Sequence, residues 1–501
     1  MHGFHDSDTP APVSNDSGPW YKSLNRYHWF VFVVSALGWL FDCLDQQLFI
    51  LARPAAMKDL LSEIKDPQQL NSAVTFYGDI ATSVFIAGWA TGGLIFGMLG
   101  DRIGRAKTMM LTILIYSACT GLSALSRSVY DFAFYRFLTG LGVGGEFAVG
   151  VALVAEVMPA VARPQALATL QALSAVGNVT AALINMGLGI AEGEGLVSSP
   201  WRIMFWIGAL PAVLALFIRS RLKEPDSWVQ AQQSRETSKK LGSYGELFAD
   251  PTLRKHALLG LVLACSGVIG LWAIGFYAPD LIKLVQEKPV TQAIYASEIA
   301  ASKSPEETAL LEKLRDAPKD TKFTAEEQAR KDTISKKIQG RTKIYQGLTA
   351  IATNIGAFFG MFGFGVLSQR IGRKPSFVIA LLAAFFSTAA VFWFMSDLWQ
   401  IFVLAPLMGF CQLSLFSGYA MYFPELFPTR LRSTGTSFCY NVGRFVAAAG
   451  PLVKIWINSL FNEPDPVLRL RYGGVSMCVV FLVGLLVLPF LPETKGKPLP
   501  E

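Results

Sequence analysis

The sequence predicts an all-α membrane protein, with twelve transmembrane helices in two pseudo-symmetric six-helix bundles. Composition supplies the first observation. Of 501 residues, 52% are hydrophobic and 16% charged, too apolar for a soluble chain of this length. The charges gather in short clusters and in one block from about Lys283 to Lys343. Between them run uncharged stretches of roughly 20 residues, enough to cross a bilayer core as a helix. The second observation is a repeated phrase: Gly97-Met98-Leu99-Gly100-Asp101-Arg102-Ile103-Gly104-Arg105 returns 268 residues later as Gly365-Val366-Leu367-Ser368-Gln369-Arg370-Ile371-Gly372-Arg373. The third is Glu-x-x-Pro-x-x-x-Arg, at Glu156, Pro159 and Arg163 and again, 269 residues on, at Glu425, Pro428 and Arg432. Two unrelated patterns repeating at nearly one spacing divide the chain into two related halves.

In chain order, residues 1–26 are polar and lack the charged-then-apolar order of a cleaved signal, so they read as a disordered cytoplasmic tail. Six spans follow as a first bundle over 27–221: Tyr27–Leu51, Gly78–Leu99, Thr108–Leu125, Asp131–Val157, Gln165–Ala191 and Trp201–Arg221. Residues 222–254 form a cytoplasmic linker. The second bundle, 255–491, holds Lys255–Leu281, Ile344–Leu367, Ser376–Met395, Leu398–Phe423, Thr434–Ile457 and Tyr472–Leu491, and residues 492–501 form a cytoplasmic tail. An even number of spans puts both termini on one side. Lys and Arg are in excess in the short loops of that side, which assigns it to the cytoplasm; the plasma (cell inner) membrane is the expected location. Segment 285–342 interrupts the second bundle as an extracytoplasmic insertion. Its Glu306–Arg315 and Ala325–Ile338 read as two charged amphipathic helices, a solvated hairpin over the outer face. The six cysteines fall singly inside apolar runs and read as packing residues.

Charged residues inside the spans carry the chemistry. In span one, Asp42 and Asp45 stand at i and i+3 with Gln46 at i+4 from Asp42, all on one helix face. Carboxylates in the middle of an apolar span are costly unless they border a water-filled cavity or a counter-charge. Burial and a neighbouring like charge both favour the neutral form of a carboxyl group, as a reversible proton carrier requires. Arg136 in span four and Arg444 in span eleven are the candidate counter-charges. A guanidinium keeps its proton, so it must face a partner or an anion, and its fork of donors suits a carboxylate. Arg444 is accordingly the candidate for gripping an anionic substrate, with a structural ion pair to Asp42, Asp45 or Glu146 as the alternative. Glu146, ten residues beyond Arg136, is a candidate second stop for the proton. Arg136, Gln46, Asn441, Gln412, Trp272 and Tyr277 join Arg444 as candidate substrate-binding residues, and Asn178, Asn185, Asn354 and Tyr419 are candidate cavity lining or interhelical contacts. The glycines of Gly140-x-Gly142-x-Gly144-Gly145 follow no strand and read as close helix packing.

With these residues in view, the chain resembles the major facilitator superfamily, in its sugar-porter-like and metabolite:proton symporter branch. The carriers of the resemblance are the Gly97–Arg105 loop and its echo, Arg136–Glu146 followed by Glu156-x-x-Pro159, the stretch Glu425–Gly435, and Pro492-Glu493-Thr494-Lys495-Gly496. The resemblance implies that aspartates of span one serve proton and substrate coupling, and that Asn441 and Arg444 belong to an organic-acid site. It also implies that the repeated loops form a cytoplasmic gate: Gly97, Asp101, Arg102, Gly104, Arg105, Glu156 and Arg163 on one half, and Arg370, Arg373, Glu425, Arg430 and Arg432 on the other. In that gate Asp101 takes hydrogen bonds from a helix N-terminus of the other half, and Arg102 and Arg105 reach acids such as Glu156. Two departures stand out. Span seven lacks the Gln-Gln pair of sugar porters, which argues against a hexose. Gln369 replaces the acid at position 101 of the first copy, which weakens the second clamp.

The reading that follows is a monomeric secondary transporter that moves a small metabolite, an organic acid anion, by proton symport through alternating access. A facilitative or proton-coupled sugar or polyol carrier is the alternative, and a transporter-like sensor a remote one. No Gly-x-x-x-x-Gly-Lys-Ser/Thr run is present, so an ion gradient must drive uphill work. The four histidines show no metal-ligand spacing, and no nucleophile–base pair suggests an enzyme. The expected partners are the small-molecule substrate, protons and membrane lipid, with no nucleic acid, metal or cofactor.

Overall fold

The computed structural model describes residues 19–500 except 194–195, 212–221, 234–240, 303, 318–320, 322, 450–455, 457–459, 462 and 464. Most of the expected N-terminal tail and the ends of the sixth and eleventh spans therefore lie outside the described residues. The first half comprises α1 (Arg26–Leu60), α2 (Pro67–Ile103), α3 (Arg105–Ser123), α4 (Val129–Val157), α5 (Arg163–Gly193) and α6 (Pro200–Gly208). Two short helices follow, α7 (Asp226–Gln233) and α8 (Tyr244–Ala249). The second half holds α9 (Pro251–Ala301), α10 (Pro305–Asp316), α11 (Ala325–Ile371), α12 (Arg373–Phe394), α13 (Leu398–Tyr422), α14 (Arg432–Ala448) and α15 (Pro466–Val487). Among the described residues, nine helices are long and apolar enough to cross a membrane.

Local chemistry sets the helix starts. Asp66-Pro67, Asp250-Pro251, Ser304-Pro305 and Asp465-Pro466 open α2, α9, α10 and α15. In each, the polar side chain accepts from a free amide, and proline removes one that would go unpaired. The two repeated loops are single-residue turns at Gly104 and Gly372, with φ of +113° and +101°, a region that any Cβ disfavours. Each turn is backed by a glutamate. Glu224 accepts from the amides of Ala106 and Lys107 at 3.2 Å, and Glu493, again 269 residues on, accepts from Arg373 at 2.9 Å and Lys374 at 3.0 Å.

The halves meet along two seams. On α2, Gly93, Gly97 and Gly100 face Asn441, Ser437 and Ser433 of α14; a Cβ on Gly93 would lie 2.3 Å from Asn441 Cγ, and one on Gly97 2.3 Å from Ser437 Cβ. The second seam joins α5 to α11. Gly365 sits against Ala168, Ala172 and Ala175 pack with Ala357 and Met361, Asn178 Nδ2 donates to Asn354 Oδ1 at 2.9 Å, and Gly347 meets Met186. Small residues on both seams let the backbones approach closely.

The insertion differs from the expected hairpin. The seventh span does not end at Leu281 but continues as α9 to Ala301, and Ala325–Ile338 is not a separate helix but the start of the 47-residue α11. After the Thr324/Glu327 capping box, the stretch up to Thr342 carries one helix-weakening residue, Gly340, at about 1 kcal/mol. Its high charge marks exposure, not a break. With α10, these extensions enclose a core of Tyr295, Leu311, Leu314 and Ile334, ringed by Arg330 on Glu298 (3.2 Å) and Glu307 (2.9 Å) and by Lys313 on Glu327 (2.6 Å).

Candidate functional site

The acids of span one part company. Asp45 turns into the first half, where Oδ1 accepts from Thr120 at 2.8 Å and Oδ2 lies 3.7 Å from Arg136 Nη1. Arg136 donates to Ser123 (2.7 Å) and Thr139 (3.0 Å) and stacks on Phe205, 4.6 Å from its ring centre. All these partners belong to the first half, so the structure does not bring Arg136 to the surface between the halves. Gln46 is half-buried.

Asp42 faces a different acid. One turn before it, Gly38 leaves the space that Glu146 of α4 fills; a Cβ there would lie 2.3 Å from Glu146 Oε1. The two carboxyl groups come within hydrogen-bond reach of each other. All four of their oxygens are buried and receive no hydrogen bond from the described residues. Two ionised carboxylates so placed repel; a single proton between them turns the repulsion into a hydrogen bond. The Tyr116 side chain of α3 borders the pair.

Arg444 lies across the interface from these acids and pairs with none of them. Its Cζ is 4.3 Å from the ring centre of Trp89 on α2 and 4.4 Å from that of Tyr440. Nη1 donates to the Tyr440 carbonyl (2.7 Å) and to Asn441 Oδ1 (2.9 Å), and Nε is buried without a hydrogen-bond partner among the described residues. Cys43, next to Asp42, lies within electrostatic range of both Glu146 and Arg444. Rings of Trp39, Phe147 and Tyr440 follow at 4.3 and 4.4 Å, an aromatic path from α1 through α4 to α14. Gln412 is placed elsewhere, donating to Thr388 at 2.7 Å inside the second half. The side chains of Trp272 and Tyr277 lie outside the described residues.

At the face of the repeated loops, a clamp joins the halves. Asp101 accepts from the amides of Ser433 (3.1 Å) and Thr434 (2.8 Å) and from the Thr434 hydroxyl (2.5 Å), a carboxylate at the positive end of α14. Arg105 reaches Asp101 (3.0 Å), Glu156 (2.9 Å) and the Thr429 carbonyl (2.7 Å). Arg432 of the second half meets the same Glu156 oxygen at 2.8 Å. The pseudo-symmetric set is incomplete. Arg373 pairs with Glu425 at 2.8 Å, but among the described residues Gln369 makes no counterpart bond and Arg163 donates only to the Met158 carbonyl at 3.4 Å.

Arg102 departs from expectation. Among the described residues it reaches no acid and donates to the Gly242 carbonyl at 3.1 Å, in the segment that connects the halves. That segment also holds Arg430 through Glu246. The Arg370 side chain is exposed, and its carbonyl accepts from Lys495 at 2.7 Å. The sequence reading missed Glu224, and Glu493 as a cap, although the 269-residue offset between them was the available signal. Burial alone would push the Glu493 carboxyl up, but the amides of Arg373, Lys374, Lys495 and Thr494 outweigh it and hold the carboxyl below its ordinary value.

Comparison with known proteins fits this two-half geometry. The Major Facilitator Superfamily profile matches residues 35–301 and 334–501. The chain belongs to the major facilitator superfamily. Among curated relatives, the "Probable 4-methylmuconolactone transporter" of Cupriavidus pinatubonensis is 26% identical, covering 95% of this chain and 93% of that protein. The sialic acid transporter NanX of Escherichia coli is 27% identical, over 95% and 97%. The solved structure of the proton:xylose symporter XylE, bound to 6-bromo-6-deoxy-D-glucose, aligns with a TM-score of 0.64 at 18% identity, over 94% of this chain and 98% of that one. This major facilitator protein is thus an integral, multi-pass membrane transporter of small metabolites, not an enzyme, with the superfamily's twelve helices in two bundles.

Proposed function

We propose that the chain carries a small organic acid anion together with protons, by alternating access, through a monomer in the plasma membrane with both termini in the cytoplasm. The observation that carries this reading is the buried Asp42–Glu146 pair, which among the described residues has no salt-bridge cation and shares an interior with a guanidinium edge of Arg444 that has no hydrogen-bond partner among them. The acid pair takes up a proton, and Arg444 takes the substrate carboxylate in a charge-assisted hydrogen bond. Asp45, already matched by Arg136 and Thr120, is the scaffold beside them and not the carrier. The clamp of Asp101, Arg105, Glu156 and Arg432 is then the cytoplasmic gate, closed here and parted when the halves rock. Organic-acid cargo is supported by the Arg444 donor set and by the relatives named above.

The experiment is transport in proteoliposomes with an imposed pH gradient. Asp42→Asn and Glu146→Gln should each keep substrate exchange at zero gradient while losing accumulation against a gradient. If both variants still concentrate substrate, the proton is carried elsewhere. Arg444→Lys should weaken carboxylate binding far more than that of neutral compounds; equal weakening removes Arg444 from the anion site.

A further inference from the structure

We propose that Trp89 is a positioning residue for the anion site, holding Arg444 in its binding orientation from the opposite half only while the gate is closed. The inference rests on the reading of Arg444 as the anion group. Two rings lie against the guanidinium: Tyr440, on its own helix, at 4.4 Å, and Trp89, on α2, at 4.3 Å. Nη1 is already committed to the Tyr440 carbonyl and Asn441. With two rings and the Nη1 bonds restraining the fork, the Nε edge, which has no hydrogen-bond partner among the described residues, is left for a carboxylate.

The placement of Trp89 is built from the first half. A Cβ on Gly144 would stand 1.9 Å from the Trp89 carbonyl oxygen, and one on Gly140 2.9 Å from its amide nitrogen. The bare α4 surface therefore seats the backbone that carries this ring. Phe85, one turn earlier, meets the indole edge-on at 5.7 Å. On the other side, Asn441 serves two contacts at once. It holds Arg444 Nη1 at 2.9 Å, and its side chain lies where Gly93 of α2 would carry a Cβ. Parting α2 from α14 strips the indole from Arg444 and loosens Asn441 in one movement. Affinity for the anion is then high with the gate shut and falls as it opens, so release is directed to the gate side. By linkage, the bound anion holds the gate shut by the same factor.

The test compares Trp89→Leu with Trp89→Phe, using benzoate as the carboxylate probe and xylose as the neutral one, with a radiolabelled substrate found by competition. Trp89→Leu should raise KM for carboxylate uptake about tenfold, the size expected for a buried cation–π contact, with kcat unchanged or higher. Trp89→Phe should restore KM to within about threefold. Trp89→Met, which keeps bulk without a π face, repeats the measurement should Leu fail to give folded protein. Unchanged KM in Leu or Met, or a loss in Phe as large as in Leu, overturns the clamp. If Arg444→Lys abolishes carboxylate binding while Trp89→Leu matches wild type, the clamp alone falls. If Arg444→Lys binds as wild type does, the anion reading itself falls.

Discussion

Arg432 crosses from one half of the protein to Glu156 in the other at 2.8 Å, whereas its sequence counterpart Arg163 finds, among the described residues, only the Met158 carbonyl at 3.4 Å. Closure at this face is therefore lopsided. It is held by ions at α2/α14 and by small apolar residues at α5/α11.

The lopsidedness predicts unequal variants. Glu156→Gln leaves Arg105 and Arg432 buried without their shared carboxylate, a defect that costs about 3 kcal/mol or more. Labelling of a cysteine at position 437, in a background without the native cysteines, should rise by tenfold or more. Arg163→Ala should change it by less than about twofold, within the roughly 0.5 kcal/mol usual for a side chain outside such networks. Equal responses would remove the asymmetry.

Asp101→Asn keeps the shape of the clamp but removes the charge that three groups at the start of α14 donate to. A loss of about 1 kcal/mol from closure is expected. The same cysteine assay should report an intermediate increase, below that of Glu156→Gln. A response larger than that of Glu156→Gln would make Asp101 the principal lock.

Gly38→Ala tests whether the acid pair depends on close approach. The added methyl would fall 2.3 Å from Glu146 Oε1 and 3.2 Å from Met109 Cε, so the carboxyl must move off Asp42. Thermal stability should drop by only a few degrees, while the pH dependence of uptake shifts towards that of Glu146→Gln. An unaltered pH profile would show that contact between the two carboxyls is dispensable.

Glu493 supplies a pH signature outside the membrane. Its folded carboxyl is held below the ordinary value near 4.5. Its contribution is therefore complete above that value and is lost as pH falls through the lower folded one. The Tm difference between wild type and Glu493→Ala should be constant from pH 7 to about pH 5.5 and shrink below about 4.5. A gap that widens on acidification would reverse the assignment.

The duplicated architecture could be read directly, because repeats report on chain organisation whatever the packing. The repeat marked the loop glycines but not their conformation: the one-residue turns between helices have a positive φ at Gly104 and Gly372. The partnering of Asp42 with Glu146 could not be read. Span one shows Asp42 and Asp45 on one face, and nothing local says that helices α3 and α4 separate them, one towards Glu146 and one towards Arg136. The continuity of α9 and α11 was also hidden, because polarity signals exposure while helix propensity persists through charged residues.

Because α9 and α11 run unbroken for 51 and 47 residues, each is a rod of about 70 Å or more at 1.5 Å per residue. The trio formed by α10 and these extensions is thus continuous with the second half, although Pro279 and Pro289 each remove one hydrogen bond from α9, and a tilt of a few degrees at the bilayer becomes a displacement of several ångströms at the tip. A spin label there, paired with one on the first half, would read out each turnover remotely, leaving every residue that touches cargo in its native form.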